Sequence, residues 1–109
     1  MFWDDELQAL AIQVFLDCTG RFDGKTLFNH GKPTELFFRT YKRRGVFSHG
    51  ERVILEIALD FWNGRGNTRF SELYTLSPQG RELIFSLYQA LCDSAQAVQD
   101  WIDGHIDHE

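Results

Sequence analysis

The sequence predicts an all-α fold: a compact bundle of four to five helices around a central buried helix at about residues 49–63, with room for one very short β element. Three observations predict it. Apolar residues recur at three- and four-residue steps through most of the chain. Helix-start residues stand before those runs, and glycines stand just after them. The composition is that of a globular domain, 43% hydrophobic and 25% charged with only two prolines in 109 residues, so one domain spanning 1–109 can bury a core without disulfide staples.

The first helix is predicted from about Asp4 to Cys18. Leu7, Leu10, Ala11, Val14 and Cys18 form one stripe, and Asp4, Asp5 and Glu6 suit the positive end of the helix dipole. Gly20 is its stop. The stretch 21–33 reads as an ordered loop, with Asp23-Gly24 and His30-Gly31 as turn signals. A short hairpin around Asp23-Gly24 is the competing reading. A second helix follows Pro33, which stands in its first turn, where a missing N–H is harmless. Leu36, Phe37 and Tyr41 make its apolar face, and Gly45 ends it.

The third helix has the clearest local grammar. Ser48 and Glu51 fit a capping box just before an apolar run. Only Arg52, Glu56, Asp60 and Asn63 interrupt that run, at steps of three and four. A helix with one narrow polar stripe belongs in the middle of a fold. The last helix starts at Ser77-Pro78 and presents Ile84, Leu87, Tyr88, Leu91, Ala95, Val98 and Ile102 on one face. It either runs unbroken to Trp101 or kinks near Asp93-Ser94. A short helical turn fits residues 71–76 before it, and a small β element fits 21–30 or 68–70.

Between the third and last helices lies DFWNGRGNTRFSEL, residues 60–73. With Glu72 as the closing ligand of a calcium loop, Phe61 and Arg65 fall where oxygen ligands are needed. A phosphate-cradling loop needs a strand before it and a helix directly after it; here a helix comes before, and GRG matches neither glycine-rich phosphate pattern. The stretch therefore reads as a helix stop at Gly64 and a turn, with Phe70 and Leu73 returning to the core. Arg65 and Arg69 are its candidates for touching a partner.

Chemical motifs are sparse. The cysteines, Cys18 and Cys92, are isolated in sequence, lie on faces predicted to be buried, and read as free, inert thiols. The histidines show no zinc spacing. The tail grouping His105, Asp107, His108 and Glu109 reads as a hydrophilic chain end, so no metal or other cofactor is expected. Ser48 and His49 are adjacent, but Ser48 already has a capping role. Glu56 and Asp60 read as a solvated stripe. The acidic start of the chain is not a secretory leader, and no apolar run is long enough to cross a bilayer. A cytoplasmic protein is expected.

Charge is the positive signal. Net charge is −5, unevenly placed. Residues 21–52 carry eight bases against three acids, and residues 53–109 carry three bases against nine acids. Arg39, Lys42, Arg43 and Arg44 crowd the second helix, interleaved with Phe37, Phe38 and Tyr41. Segregated charge steers and orients association. The expected function is a small non-catalytic protein-binding module, an adaptor or inhibitor that occludes a partner through its acidic and basic faces. The partner is another protein, including the class that handles nucleic acid. A basic patch on one copy meeting an acidic one on another would give homo-oligomers. Direct nucleic-acid binding by the second helix is the alternative, weakened by the acidic balance. An enzyme of unspecified reaction is the third reading; it requires His30 or His49 beside a carboxylate in a cleft.

Overall fold

The computed structural model describes residues 4–106. Six α-helices and one two-strand ribbon are present among the described residues: α1 (Asp5–Thr19), α2 (Gly24–Leu27), β1 (Phe28–Asn29), β2 (Lys32–Pro33), α3 (Glu35–Lys42), α4 (His49–Asn63), α5 (Pro78–Asp93) and α6 (Ala95–His105). Short 3-10 turns at Arg44–Val46 and Phe70–Thr75 flank α4. The all-α bundle with one very short β element is the architecture observed.

Each long helix starts on a side-chain cap, which satisfies an otherwise orphaned backbone N–H. Asp4 caps Leu7, Ser77 caps Gly80 with Pro78 directly after it, and Ser94 caps Ala97. Ser48 and Glu51 form the reciprocal capping box at α4. Helices α1 and α4 both end on left-handed glycines, Gly20 and Gly64. The break between α5 and α6 falls at Ser94, whose extended backbone ends one helix while its hydroxyl starts the next.

The segment 21–33 differs from its predicted form. Asp23 caps the short α2 instead of closing a hairpin. The hairpin closes on His30-Gly31, both with positive φ as a two-residue primed turn requires. It pairs Phe28 with Pro33 and Asn29 with Lys32. Pro33 therefore lies in a strand, and Thr34 is the cap of α3, accepting from the Phe37 N–H. No strand forms at 68–70.

The core is built on α4 and α1. Helix α4 buries Val53, Ile54, Leu55, Ile57, Ala58 and Leu59. Helix α1 packs against α2, α4, α5, α6 and both strands, so it shares the central role. Its buried face is Ala11, Ile12, Phe15 and Leu16 with Ala9 and Val14, while Leu10 and Cys18 of the predicted stripe are exposed. The stripe is rotated because α1 is covered on several sides and admits a wider apolar arc than one face. Gln8 is buried too, and its amide donates to the Phe61 and Trp62 carbonyls at the end of α4. Of three fully buried phenylalanines, Phe15 packs edge-to-face on Phe61, and Phe28 packs edge-to-face on both Phe37 and Trp62.

Candidate interaction surface

Glu56 organises the surface around α4. It lies on the polar stripe of the helix, but its side chain is only 12% exposed. One carboxylate oxygen accepts from the Tyr41 hydroxyl (2.6 Å) and the Asn67 N–H (2.9 Å). The other accepts from Arg44 Nε at 2.6 Å. Arg44 also donates to the Tyr41 carbonyl and lies over the Tyr41 ring, 4.0 Å from its centre. Thus α3, the 3-10 turn after it, α4 and the loop 64–69 meet on one carboxylate. Burial pushes the Glu56 pKa up, but the hydrogen bonds from Tyr41, Asn67 and Arg44 outweigh it, and the net direction is down. Tyr41 is pushed up to about 12, by burial first and then by its bond to Glu56.

The loop 64–69 is held against α4 by this arrangement. Gly66 lies so close to the helix that a Cβ there would collide with the Glu56 carbonyl and with Asp60. Only glycine fits. The loop with its 3-10 turn then forms a ridge between two depressions. On one side Asn67 and Glu72 line a cleft of about 540 Å³ with Lys42, Arg44, His49 and Arg52. On the other side Thr68, Phe70 and Leu73 line a groove of about 450 Å³ with Ile57, Asp60 and Phe61 from α4 and Ile84, Phe85 and Tyr88 from α5.

The groove side was read as core from the sequence, and the structure corrects it. Leu73 is buried, but Phe70 is 82% exposed and the neighbouring Tyr74 is 80% exposed. Tyr88, placed on the apolar stripe of the last helix, is 58% exposed, and Phe85 is 48% exposed. Leu73 is the buried residue of the 3-10 turn Phe70–Thr75, whereas Phe70, its first residue, turns outward. Exposed Phe and Tyr grouped at a depression are unusual on a surface with no partner. The signal available in the sequence was the surplus of aromatics over what one small core can absorb. Thr68 Oγ1, in the groove wall, is buried without a hydrogen-bond partner among the described residues.

The basic residues divide. Arg44 faces inward and is committed to Glu56. Arg39, Lys42 and Arg43 are exposed on α3 and make no ion pair among the described residues; the pairs found there are Arg21–Glu51 and Arg44–Glu56. No ion pair joins α3 to the acidic terminal helices among the described residues. Leu36, predicted on its apolar face, is exposed beside Arg39, and Val46 and Phe47 complete a shallow apolar and basic depression of about 450 Å³. Arg65 and Arg69 are exposed on the ridge. The Arg69 N–H donates to Glu72, and its guanidinium makes no ion pair among the described residues.

Cys18 and Cys92 are exposed, contrary to the buried position expected, because each falls just outside the arc its helix packs inward. The Cys18 thiol donates to the His105 carbonyl at 3.5 Å, and partial burial followed by the Asp17 charge pushes its pKa up, away from thiolate. The His105 ring stacks on Trp101 and bonds its carbonyl. Ser48 is engaged with Glu51. His49 shares the cleft with Glu56 and Glu72, but its polar contact is Arg52, at 3.5 Å. Among the described residues no three His, Cys, Asp or Glu side chains converge on a metal position; Asp107, His108 and Glu109 of the tail lie outside them. No helix there is long and apolar enough to cross a membrane.

No family model, no curated protein and no solved structure matches the chain.

Proposed function

We propose that the chain is a non-catalytic protein-binding module, an adaptor or inhibitor that works by covering part of its partner. The observation that supports this is the aromatic groove between α4 and α5, with Phe70, Phe85 and Tyr88 exposed around it. Aromatic side chains bring large contact area at low entropic cost and dominate binding hot spots. The uneven charge along the chain would orient the partner, with α3 on the basic half. A cytoplasmic location and a partner that itself handles nucleic acid belong to the same reading.

The test is affinity capture from the native cells with the wild-type chain and with a Phe70→Ala/Tyr88→Ala variant. A protein retained by the wild type and lost from the variant is the expected result. A protein set identical for both baits would remove the groove as the binding surface.

A second reading is supported by the unpaired cations of α3. Arg39, Lys42 and Arg43, with Arg52 nearby across the cleft, would attract phosphates in a nucleic acid. It predicts binding of labelled single- or double-stranded DNA or RNA, read by fluorescence anisotropy, that falls steeply with salt and collapses on Arg39→Ala/Lys42→Ala/Arg43→Ala. Absence of binding at low salt would dismiss it.

A further inference from the structure

We infer that the basic face of α3 receives an acidic segment of a partner protein, one that carries apolar side chains among its carboxylates. The inference rests on the protein-binding reading above and narrows the partner's chemistry, at a surface separate from the aromatic groove. Its first support is the lining of the depression on α3. Leu36 and Val46 are exposed there and Phe47 is half-buried, with Arg39, Lys42 and Arg43 beside them. No carboxylate lines it among the described residues. Val46 is 74% exposed. Apolar side chains on the incoming segment would take this area out of water, which carboxylates alone would not do.

Its second support is charge. The elements that pack most closely against α3 are α2, β2 and the 3-10 turn Arg44–Val46, and their charged residues are Lys25, Lys32 and Arg44, all bases. Residues 23–52 hold seven bases against Asp23, Glu35 and Glu51. Arg44 is matched by Glu56, Asp23 caps α2, and Glu51 lies 3.9 Å from Arg21. That leaves Glu35 against the exposed Arg39, Lys42 and Arg43. A carboxylate-bearing segment is therefore steered to this face and a basic one repelled. A nucleic acid suits the depression less well, because it offers no free ring on which a base could stack. Phe47, the aromatic residue in the lining, packs edge-to-face on Phe22, and the exposed Phe38 does not line the depression.

The test uses a labelled model peptide of about 12 residues, long enough to span α3 even when helical, with leucines interspersed among glutamates. One control replaces the leucines by serines, and the other replaces the glutamates by lysines. Fluorescence anisotropy at low and moderate salt is the readout, with circular dichroism confirming that each variant folds. The leucine–glutamate peptide should bind the wild type more tightly than either control. Arg39→Glu/Arg43→Glu should weaken it about tenfold or more at low salt, and by less as salt rises. Val46→Ser should weaken it about two- to fivefold and leave the serine control unchanged. Equal binding of the serine or the lysine peptide, or indifference to the arginine reversal, would each overturn the inference. So would a single-stranded oligonucleotide or a phosphatidylserine vesicle that binds more tightly than the peptide and is lost on the arginine reversal, because the occupant is then a nucleic acid or a membrane surface. If no peptide binds while a cellular partner still depends on Phe70 and Tyr88, the acidic segment falls and the protein-binding reading stands.

Discussion

Replacing Glu56 by Ala should destabilise the protein by far more than its position on a polar stripe suggests. The carboxylate accepts three hydrogen bonds, from Tyr41, Asn67 and Arg44. Removing it leaves the Arg44 guanidinium, itself about one-third exposed, without its counter-charge, and leaves the Asn67 N–H without an acceptor. Hydrogen bonds to charged groups are each worth roughly 1.5–3 kcal/mol, but losses on one shared group do not add. Solvent access to Arg44 discounts the ionic part further. The expected cost is about 2–4 kcal/mol, which lowers the melting temperature of a domain this size by roughly 10–25 °C.

The assay is thermal unfolding by circular dichroism, repeated from neutral to acidic pH. The folded-state pKa of Glu56 is lowered, so its contribution is present above the unfolded value of about 4.3 and is lost as pH falls through the folded value. The wild-type and variant melting temperatures should therefore converge in acid. A variant that melts within a few degrees of the wild type at neutral pH would refute the account of Glu56 as the residue joining α3, α4 and the loop.

Other outcomes follow from the same structure. Leu55→Ala, at a fully buried position of α4, should cost ~2–5 kcal/mol by chemical denaturation, and an unchanged midpoint would contradict the buried helix. Gly66→Ala should destabilise by about 1–3 kcal/mol, since the loop must retreat from α4 to admit a methyl group; a neutral result would mean that the loop is not seated there. In a spectroscopic tyrosine titration, Tyr41 should ionise near 12, and Tyr41→Phe should remove that late step. Because the folded pKa is raised, Tyr41 contributes stability that is complete below about pH 10 and lost as pH rises through the folded value. Phe70→Ala should change stability by less than about 0.5 kcal/mol, because the side chain is exposed; a loss as large as that of a core phenylalanine would return Phe70 to the core.

Most of the helical architecture was legible because it is written in local chemistry. Ser48 with Glu51, Ser77 with Pro78, and Gly20 and Gly64 mark helix ends through hydrogen bonds made within a few residues. The direction of each side chain was less legible, because burial depends on what the rest of the chain brings to a face. Leu10, Leu36 and Tyr88 have the spacing of core residues but meet no covering element. Phe70 was misplaced for a related reason: nothing local to the turn after Gly64 says which of its two apolar residues, Phe70 or Leu73, meets a covering element. Glu56 looked solvated because its partners Tyr41, Arg44 and Asn67 lie 11 to 15 residues away. The basic second helix was legible as a patch, but the inward commitment of Arg44 needed the fold.

The groove between α4 and α5 is the central claim, and site-specific photocrosslinking tests it most directly. A benzophenone amino acid placed at Phe85, which lines the groove, is compared in the native cell with the same group at Phe38, exposed on α3. The account predicts a discrete protein adduct from position 85 that Tyr88→Ala abolishes, and no such adduct from position 38. Adducts formed from position 38 and not from position 85 would move the binding surface to the basic face and contradict the account.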